Sequence, residues 1–343
     1  MNTKILEILS LVKRANNTKN KEEKQVLNEE ILSNIDENMF VKALKSSIGI
    51  KTVATTPEED TVYNSIRFGL DEDNGYLLPH DMKNNVESLR KEGLSLEILV
   101  KVEPVESMEG QRVYDLSADI TPLETVEQFQ DIPYVDQSKV KGVKFKTKKK
   151  AGILKATLEL VSDSEKVFKE WLKKWCAKKS RATRNQMIVD KINEMTLETK
   201  IEVANIDTLE NDILTNLADQ YKNNATVLIN YAGYEYLSNL KDTEGNLIKL
   251  FESSSENTKD KLLFGLYPVM ILPDNLFKNE EGKISIVIGS LNEAVVLFDR
   301  GKMLIDINKN IGFYEDDVLI KLVEKLDVEE VDTDAVIKLV LTK

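Results

Sequence analysis

The chain has 343 residues, room for one large or two modest domains. Acidic residues outnumber Lys and Arg by 59 to 47, a net charge of −12 with 41% hydrophobic residues, which describes a soluble globular protein and not a dedicated high-affinity nucleic-acid binder. No apolar run is long enough to span a bilayer, and the single cysteine, Cys176, excludes an internal disulfide and any multi-cysteine metal site, so a reducing compartment is expected.

Ile5, Ile8, Leu9 and Val12 form one face of a short amphipathic helix. Glu7 interrupts this run and no small-residue cleavage site follows, so it does not read as a signal peptide. A second pattern, through Leu27, Ile31, Ile35 and Met39, comes close to a heptad. It is either a packed helical pair or an assembly segment. From Thr52 to Pro79 no periodicity appears, and the length and composition predict an extended arm ordered by a partner.

A helix over Met82–Lys91 ends at Gly93, and alternation of Leu94, Leu96, Ile98, Val100 and Val102 predicts a strand. Between Glu106 and Lys150 the chain turns polar, with β-type residues at Arg112–Tyr114 and Val140–Phe145. The lysines of this return segment include Lys139, Lys141, Lys144, Lys146 and Lys148, with no acid among them. Phe145 is the lone aromatic near them, too few for a nucleic-acid stacking platform, and a solvated β-arm is the plain reading. Removing Val140–Lys150 is therefore expected to leave the core folded.

Ser162, Asp163 and Ser164 offer helix caps, with Glu165 in the first turn. The helix expected over 164–195 carries a stripe of Phe168, Trp171, Leu172, Trp175 and Ala182, continued by Val189 and Ile192. The tryptophans read as core anchors and Cys176 as a small buried apolar residue. Another helix is expected over Asp207–Tyr221.

A buried strand at Thr226–Asn230 leads to a helix, Tyr231–Leu240, broken by Lys241–Asn246, where Gly245 suits a positive φ. Strands are expected within Leu263–Pro273 and at Ile284–Ser290. Ala294–Ile307 reads as two strands joined by a three-residue hairpin, Asp299-Arg300-Gly301. A half-buried strand follows at Ile320–Val328, and Val336–Leu341 is a last apolar strand.

No catalytic constellation is visible. The only histidine, His80, follows Pro79 in the arm, so no base can be paired with a nucleophile. There is no phosphate-binding glycine loop, and Glu315-Asp316-Asp317 and Glu329-Glu330 lack calcium-loop spacing. No cofactor or metal is expected.

The series from Thr226 to Ile307 resembles the major capsid protein of tailed bacteriophages, with its Hong Kong 97-type α+β fold. Lys241, Asp242 and Gly245 match a "KD-x-x-G" turn, and Gly265, Leu266, Pro268 and Val269 match a "GLPV" strand with Tyr267 inserted. Gly289 matches a glycine-bearing strand, and Phe298, Asp299 and Arg300 match an "FDR" hairpin. Asn74–Pro79, "NGYLLP", is similar to the end of that family's N-terminal arm. The resemblance implies a scaffold-like helical segment over 1–50, often removed by a protease in relatives, and an arm over 51–80. It further implies a peripheral domain over 81–204, with an extended loop at about 106–150 and a spine helix at about 164–195. An axial domain over 205–311 and return strands over 312–343, joining the strand near Leu94, complete the series. Arm and loop would cross to neighbouring subunits, making Tyr76, Leu77, Arg112, Lys139, Lys141, Lys144, Lys146 and Lys148 interface candidates, with the basic loop matched to acidic partner surface.

The implied function is an icosahedral shell of pentamers and hexamers, a homo-oligomer enclosing double-stranded DNA with weak non-specific contact. Portal, scaffold, protease or decoration proteins would be its other partners, without a membrane, and assembly would occur in the host bacterial cytoplasm. An encapsulin-type nanocompartment shell is the nearest alternative, and an unrelated α+β enzyme with a carboxylate site the next.

Overall fold

The computed structural model describes residues 3–18, 21–50, 76–116, 125–126, 131, 139–196, 200–203, 208–241, 247–253, 261–309 and 316–342. It divides into two compact units, one of residues 1–95, 148–183 and 299–326, the other of 96–147, 184–298 and 327–343.

Three helices open the chain, α1 (Thr3–Asn17), α2 (Lys21–Asn34) and α3 (Glu37–Ser47), followed by β1 (Tyr76–Leu77) and α4 (His80–Lys91). Next come a 3-10 turn at Leu96–Ile98 and strands β2 (Lys101–Pro104), β3 (Glu109–Asp115), β4 (Val140–Lys146) and β5 (Lys148–Thr157). Helices α5 (Leu158–Ser162) and α6 (Glu165–Met195) lead to β6 (Lys200–Val203), α7 (Leu209–Asn216), α8 (Asp219–Lys222), β7 (Thr226–Asn230) and α9 (Tyr231–Ser238). The remainder is mostly strand: β8 (Phe251–Ser253), β9 (Lys261–Leu263), β10 (Tyr267–Leu272), β11 (Lys283–Gly289), the short α10 (Leu291–Ala294), β12 (Val295–Asn308), β13 (Asp317–Glu330) and β14 (Val336–Thr342).

In the first unit a sheet runs in the order β1-β12-β13-β5. Strands β13 and β5 pair antiparallel from Asp317↔Thr157 to Leu326↔Lys148, and Tyr76 of β1 faces Ile305 of β12. Its apolar core joins Met82 of α4, Ile305 and Ile320 of the sheet, Phe168, Leu172 and Cys176 of α6, and the buried faces of α1 to α3. The near-heptad run over 27–39 is not one helix. Asp36 accepts the Met39 N–H at 2.8 Å, capping a new helix after Ile35.

In the second unit seven strands run β6-β14-β11-β7-β10-β9-β8. The sheet is mixed: β7 is parallel to β10 and β14 to β6, and the other pairs are antiparallel. Its central strands are buried on both faces, which is why Ile284–Ile288 and Val336–Leu341 read as nearly continuous apolar runs. Asn230 starts α9 by accepting the Gly233 N–H at 2.8 Å, and its amide donates to the Phe277 carbonyl at 3.1 Å.

Helix α6 has 31 residues, about 46 Å at the usual rise. Its buried line runs Phe168, Leu172, Cys176, Ser180, Arg184, Ile188 and Ile192, each four residues from the last. Trp171 and Trp175 flank that line half-buried, stacked with centroids 6.3 Å apart, and Ala182 is exposed, contrary to the expected stripe.

Four further expectations are corrected. The segment at Leu94–Val102 is not a strand throughout: the Leu96 N–H donates to Asn185 Oδ1 at 2.9 Å, Leu96–Ile98 coils as a 3-10 turn, and β2 begins only at Lys101. The helix expected over 207–221 is two helices, parted at Leu217 and Ala218, because the Tyr221 hydroxyl donates to buried Asp332 and fixes α8 independently. Asp299-Arg300-Gly301 makes no hairpin. Gly301 does have φ +64°, with its N–H bonded to Asp299 Oδ1 at 2.8 Å, but it lies inside the continuous 14-residue β12. Strand β14 pairs with β11 and β6, not with the segment near Leu94.

Candidate subunit-interface surfaces

The two-stranded sheet of β3 and β4 carries half of the candidate interface residues, Arg112, Lys141, Lys144 and Lys146. Its register runs from Glu109↔Lys146 to Asp115↔Val140, so Asp115 and Val140 mark the end at which the chain leaves and returns. One face is anchored. Tyr114, Val143 and Phe145 are buried in a cluster with Val105, Val296, Phe298 and Val331, and the rings of Phe145 and Phe298 stack at 4.5 Å. Arg112 lies on this face, its guanidinium 5.9 Å from the Phe145 ring centroid and 3.7 Å from Glu103. Burial, reinforced by the nearby negative charge of Glu103, pushes the Tyr114 phenol far above its ordinary range.

Gln111, Val113, Val140, Lys144 and Lys146 stand on the opposite face, where Val113 is 67% and Val140 54% exposed. Val113 and Val140 thus put two apolar side chains on the solvent side of this small sheet.

The basic run is not without acids in the folded subunit. Lys139 lies 3.6 Å from Asp334, Lys141 3.5 Å from Glu330 and Lys146 3.6 Å from Glu109. These pairs are solvent-exposed and each stabilises by no more than about 1 kcal/mol. The expected deletion tolerance of Val140–Lys150 does not follow either, since β4 supplies Val143 and Phe145 to a core and β5 starts at Lys148.

In the first unit, Lys148 begins β5, the last strand of its sheet's path among the described residues. Beside it a cavity of about 460 Å³ is lined by Lys149, Lys150, Ile153, Trp175, Lys179 and Glu324, among others. Tyr76 is buried inside its own unit and Leu77 half-buried.

The family-pattern residues fall as follows. Lys241 bridges to Leu247, while Asp242 and Gly245 lie outside the described residues. Gly265 has φ +68° in the turn between β9 and β10, and Pro268 sits in β10 opposite Leu262. Gly289 ends β11 where a Cβ would stand 2.1 Å from the Ala335 carbonyl oxygen, so only glycine lets β11 and β14 meet there. Phe298 is fully buried against Phe145, Asp299 accepts from Gly301, and Arg300 is half-buried. What the motifs do not reveal is which residues anchor the hairpin: Val143 and Phe145 alternate with lysines, and their partners Phe298 and Val331 lie far along the chain.

A long helix against an edge-bearing sheet, a separate mixed sheet and an anchored β-hairpin together define a shell-building subunit of the Hong Kong 97 type. The chain belongs to the phage capsid family, whose sequence pattern matches residues 74–341. It is a major capsid protein, a structural protein whose place is the virion capsid.

Solved structures agree in fold. The capsid of a native GTA particle is 17% identical, covers 73% of this chain and 90% of its own, and superposes with a TM-score of 0.53. The capsid of the empty GTA particle is 19% identical with the same coverages and TM-score. The satellite phage P4 procapsid chain is 13% identical over 76% of this chain and 99% of its own, with a TM-score of 0.52. No curated protein matches the chain in sequence.

Proposed function

We propose that this chain forms the closed icosahedral head of a tailed phage or prophage, in pentamers and hexamers around double-stranded DNA, assembled in the bacterial cytoplasm. The observation that carries the reading is the family match over 74–341, which takes in both sheets, the hairpin and α6. The outward face of β3 and β4, with Val113, Val140, Lys144 and Lys146, and the edge of β5 from Lys148 are the surfaces proposed to meet neighbours. A net charge of −12 suits a wall that contains DNA without gripping it. No catalytic work is assigned to the chain.

Negative-stain electron microscopy of the purified full-length protein tests this, with nucleic-acid content measured on the particles. Closed shells or capsomer rings support the reading. Shells filled with a copurifying enzyme would favour a nanocompartment, and a monomer with saturable small-molecule binding would overturn the structural role. The hairpin assignment has its own test in Val113→Glu with Val140→Glu. Both sites are exposed, so the melting temperature should hold within a degree or two while shell yield is lost. Shells of normal size and yield from the double variant would remove this face from the interface.

A further inference from the structure

We infer that residues 3–50 are a resident domain of the subunit, locked through α3 onto the family fold, and not a detachable scaffold. The family match begins at residue 74, so α1, α2 and α3 lie wholly outside it. They nonetheless share one apolar cluster with it. Ile8, Phe40, Val41 and Leu44 are fully buried together with Met82 of α4 and Phe168, Leu172 and Cys176 of α6. Phe40 meets the ring of Tyr76 edge-on, centroids 6.4 Å apart at 88°.

Polar contacts fix the register. Glu37, in the first turn of α3, accepts from Asn85 of α4 at 2.7 Å and lies 3.2 Å from Lys169 and 3.4 Å from Lys173 of α6. Lys169 also donates to Asn38 Oδ1 at 2.9 Å. Two turns further along α3, Lys45 is completely buried, donates to the main-chain carbonyl of Asp163 and holds its ammonium 5.5 Å from the Phe168 ring.

This arrangement is ill suited to release. A surface meant to part cleanly would be polar and wet on both sides. Here undocking would bare Tyr76, Met82, Phe168 and Leu172, large apolar side chains whose exposure to water is unfavourable. A buried ammonium and a carboxylate between two lysines are compensated only while α3 sits in this one position, so they favour a single geometry over sliding. The three helices therefore complete the core of the first unit.

The test uses the full chain with a protease site introduced at residues 55–60. After cleavage of the folded protein, the fragment carrying α1 to α3 should stay bound through size-exclusion chromatography. Phe40→Ala with Leu44→Ala in the same chain should release it. On the uncut chain, hydrogen exchange should protect the amides of α3 as strongly as those of residues 165–180 of α6. A fragment that leaves a soluble, monodisperse remainder, or α3 amides exchanging freely while α6 stays protected, would overturn the inference. Both readouts are made on the subunit in solution, so they stand whether or not shells form.

Discussion

At the scale of single residues, the close approach at Gly289 and the charges around Glu37 are each sensitive to one substitution. Gly289→Ala would press a methyl group into the Ala335 carbonyl and the Val336 Cα, 2.1 and 2.7 Å away, both of them backbone atoms of the paired strand. Because backbone cannot rotate aside, we expect a loss of about 3 kcal/mol or more, read as a lower urea midpoint. An unchanged midpoint would mean that β11 and β14 separate there at no cost. Glu37 makes a different prediction. Burial raises its carboxyl, but the hydrogen bonds from Asn85 and Lys169 and the charges of Lys173 and Lys169 outweigh burial and hold it below the usual glutamate range. The folded state therefore binds that proton less readily than the unfolded state. The stabilisation is complete above the ordinary glutamate range and fades as pH falls through the lowered folded value. Glu37→Gln should cost about 1–2 kcal/mol near neutral pH, and the gap to the parent should close in acid. A gap independent of pH would show that Glu37 acts by shape alone.

At the scale of elements, the hairpin of β3 and β4 illustrates how one strand serves two surfaces. Its alternation sends Val143 and Phe145 inward and Lys144 and Lys146 outward, so the same seven residues hold the strand down and display charge. Phe145→Ala should cost about 3–4 kcal/mol through the lost stack on Phe298 and the cavity left behind. Hydrogen exchange should then quicken across 109–115 and 140–146 more than in the seven-stranded sheet. Equal acceleration in both would mean the hairpin is not an independent folding element. The long helix, the strand at 226–230 and the two C-terminal strands were legible in the sequence because each carries its own local apolar pattern, periodic in α6 and β13 and nearly continuous in β7 and β14. What escaped was set by distant partners. The 3-10 turn at Leu96 depends on Asn185, the break before Tyr221 on Asp332, and β12 takes its sheet neighbours β1 and β13 from distant parts of the chain. The lysine run was visible as charge, but its acids at Asp334 and Glu330 come from another part of the chain and left no local mark. The same holds for Glu37 and Lys173, 136 residues apart.

At the scale of the whole molecule, the question is whether charge draws subunits together or holds them apart. The sequence suggests attraction, a basic loop laid on an acidic neighbour. The folded subunit changes that balance, because Lys139, Lys141 and Lys146 already face Asp334, Glu330 and Glu109 of their own chain. Each subunit also carries an excess of acid over its whole sequence, a net of −12, so subunits approach one another with like charge. Like-charged subunits repel over a distance of the order of the Debye length, about 10 Å at 0.1 M salt and about 3 Å at 1 M. The apolar contacts proposed at Val113 and Val140 are not weakened by screening and are strengthened by salting-out anions. Added salt should therefore promote assembly. Light scattering of purified subunits at a fixed concentration should rise faster and plateau higher at about 0.5 M NaCl than at about 0.05 M. If salt instead slows the rise, or dissolves formed shells, attraction between the hairpin lysines and a neighbour's acids outweighs the repulsion. The intramolecular pairs must then open on assembly, and Lys139→Gln with Lys141→Gln would abolish the salt dependence.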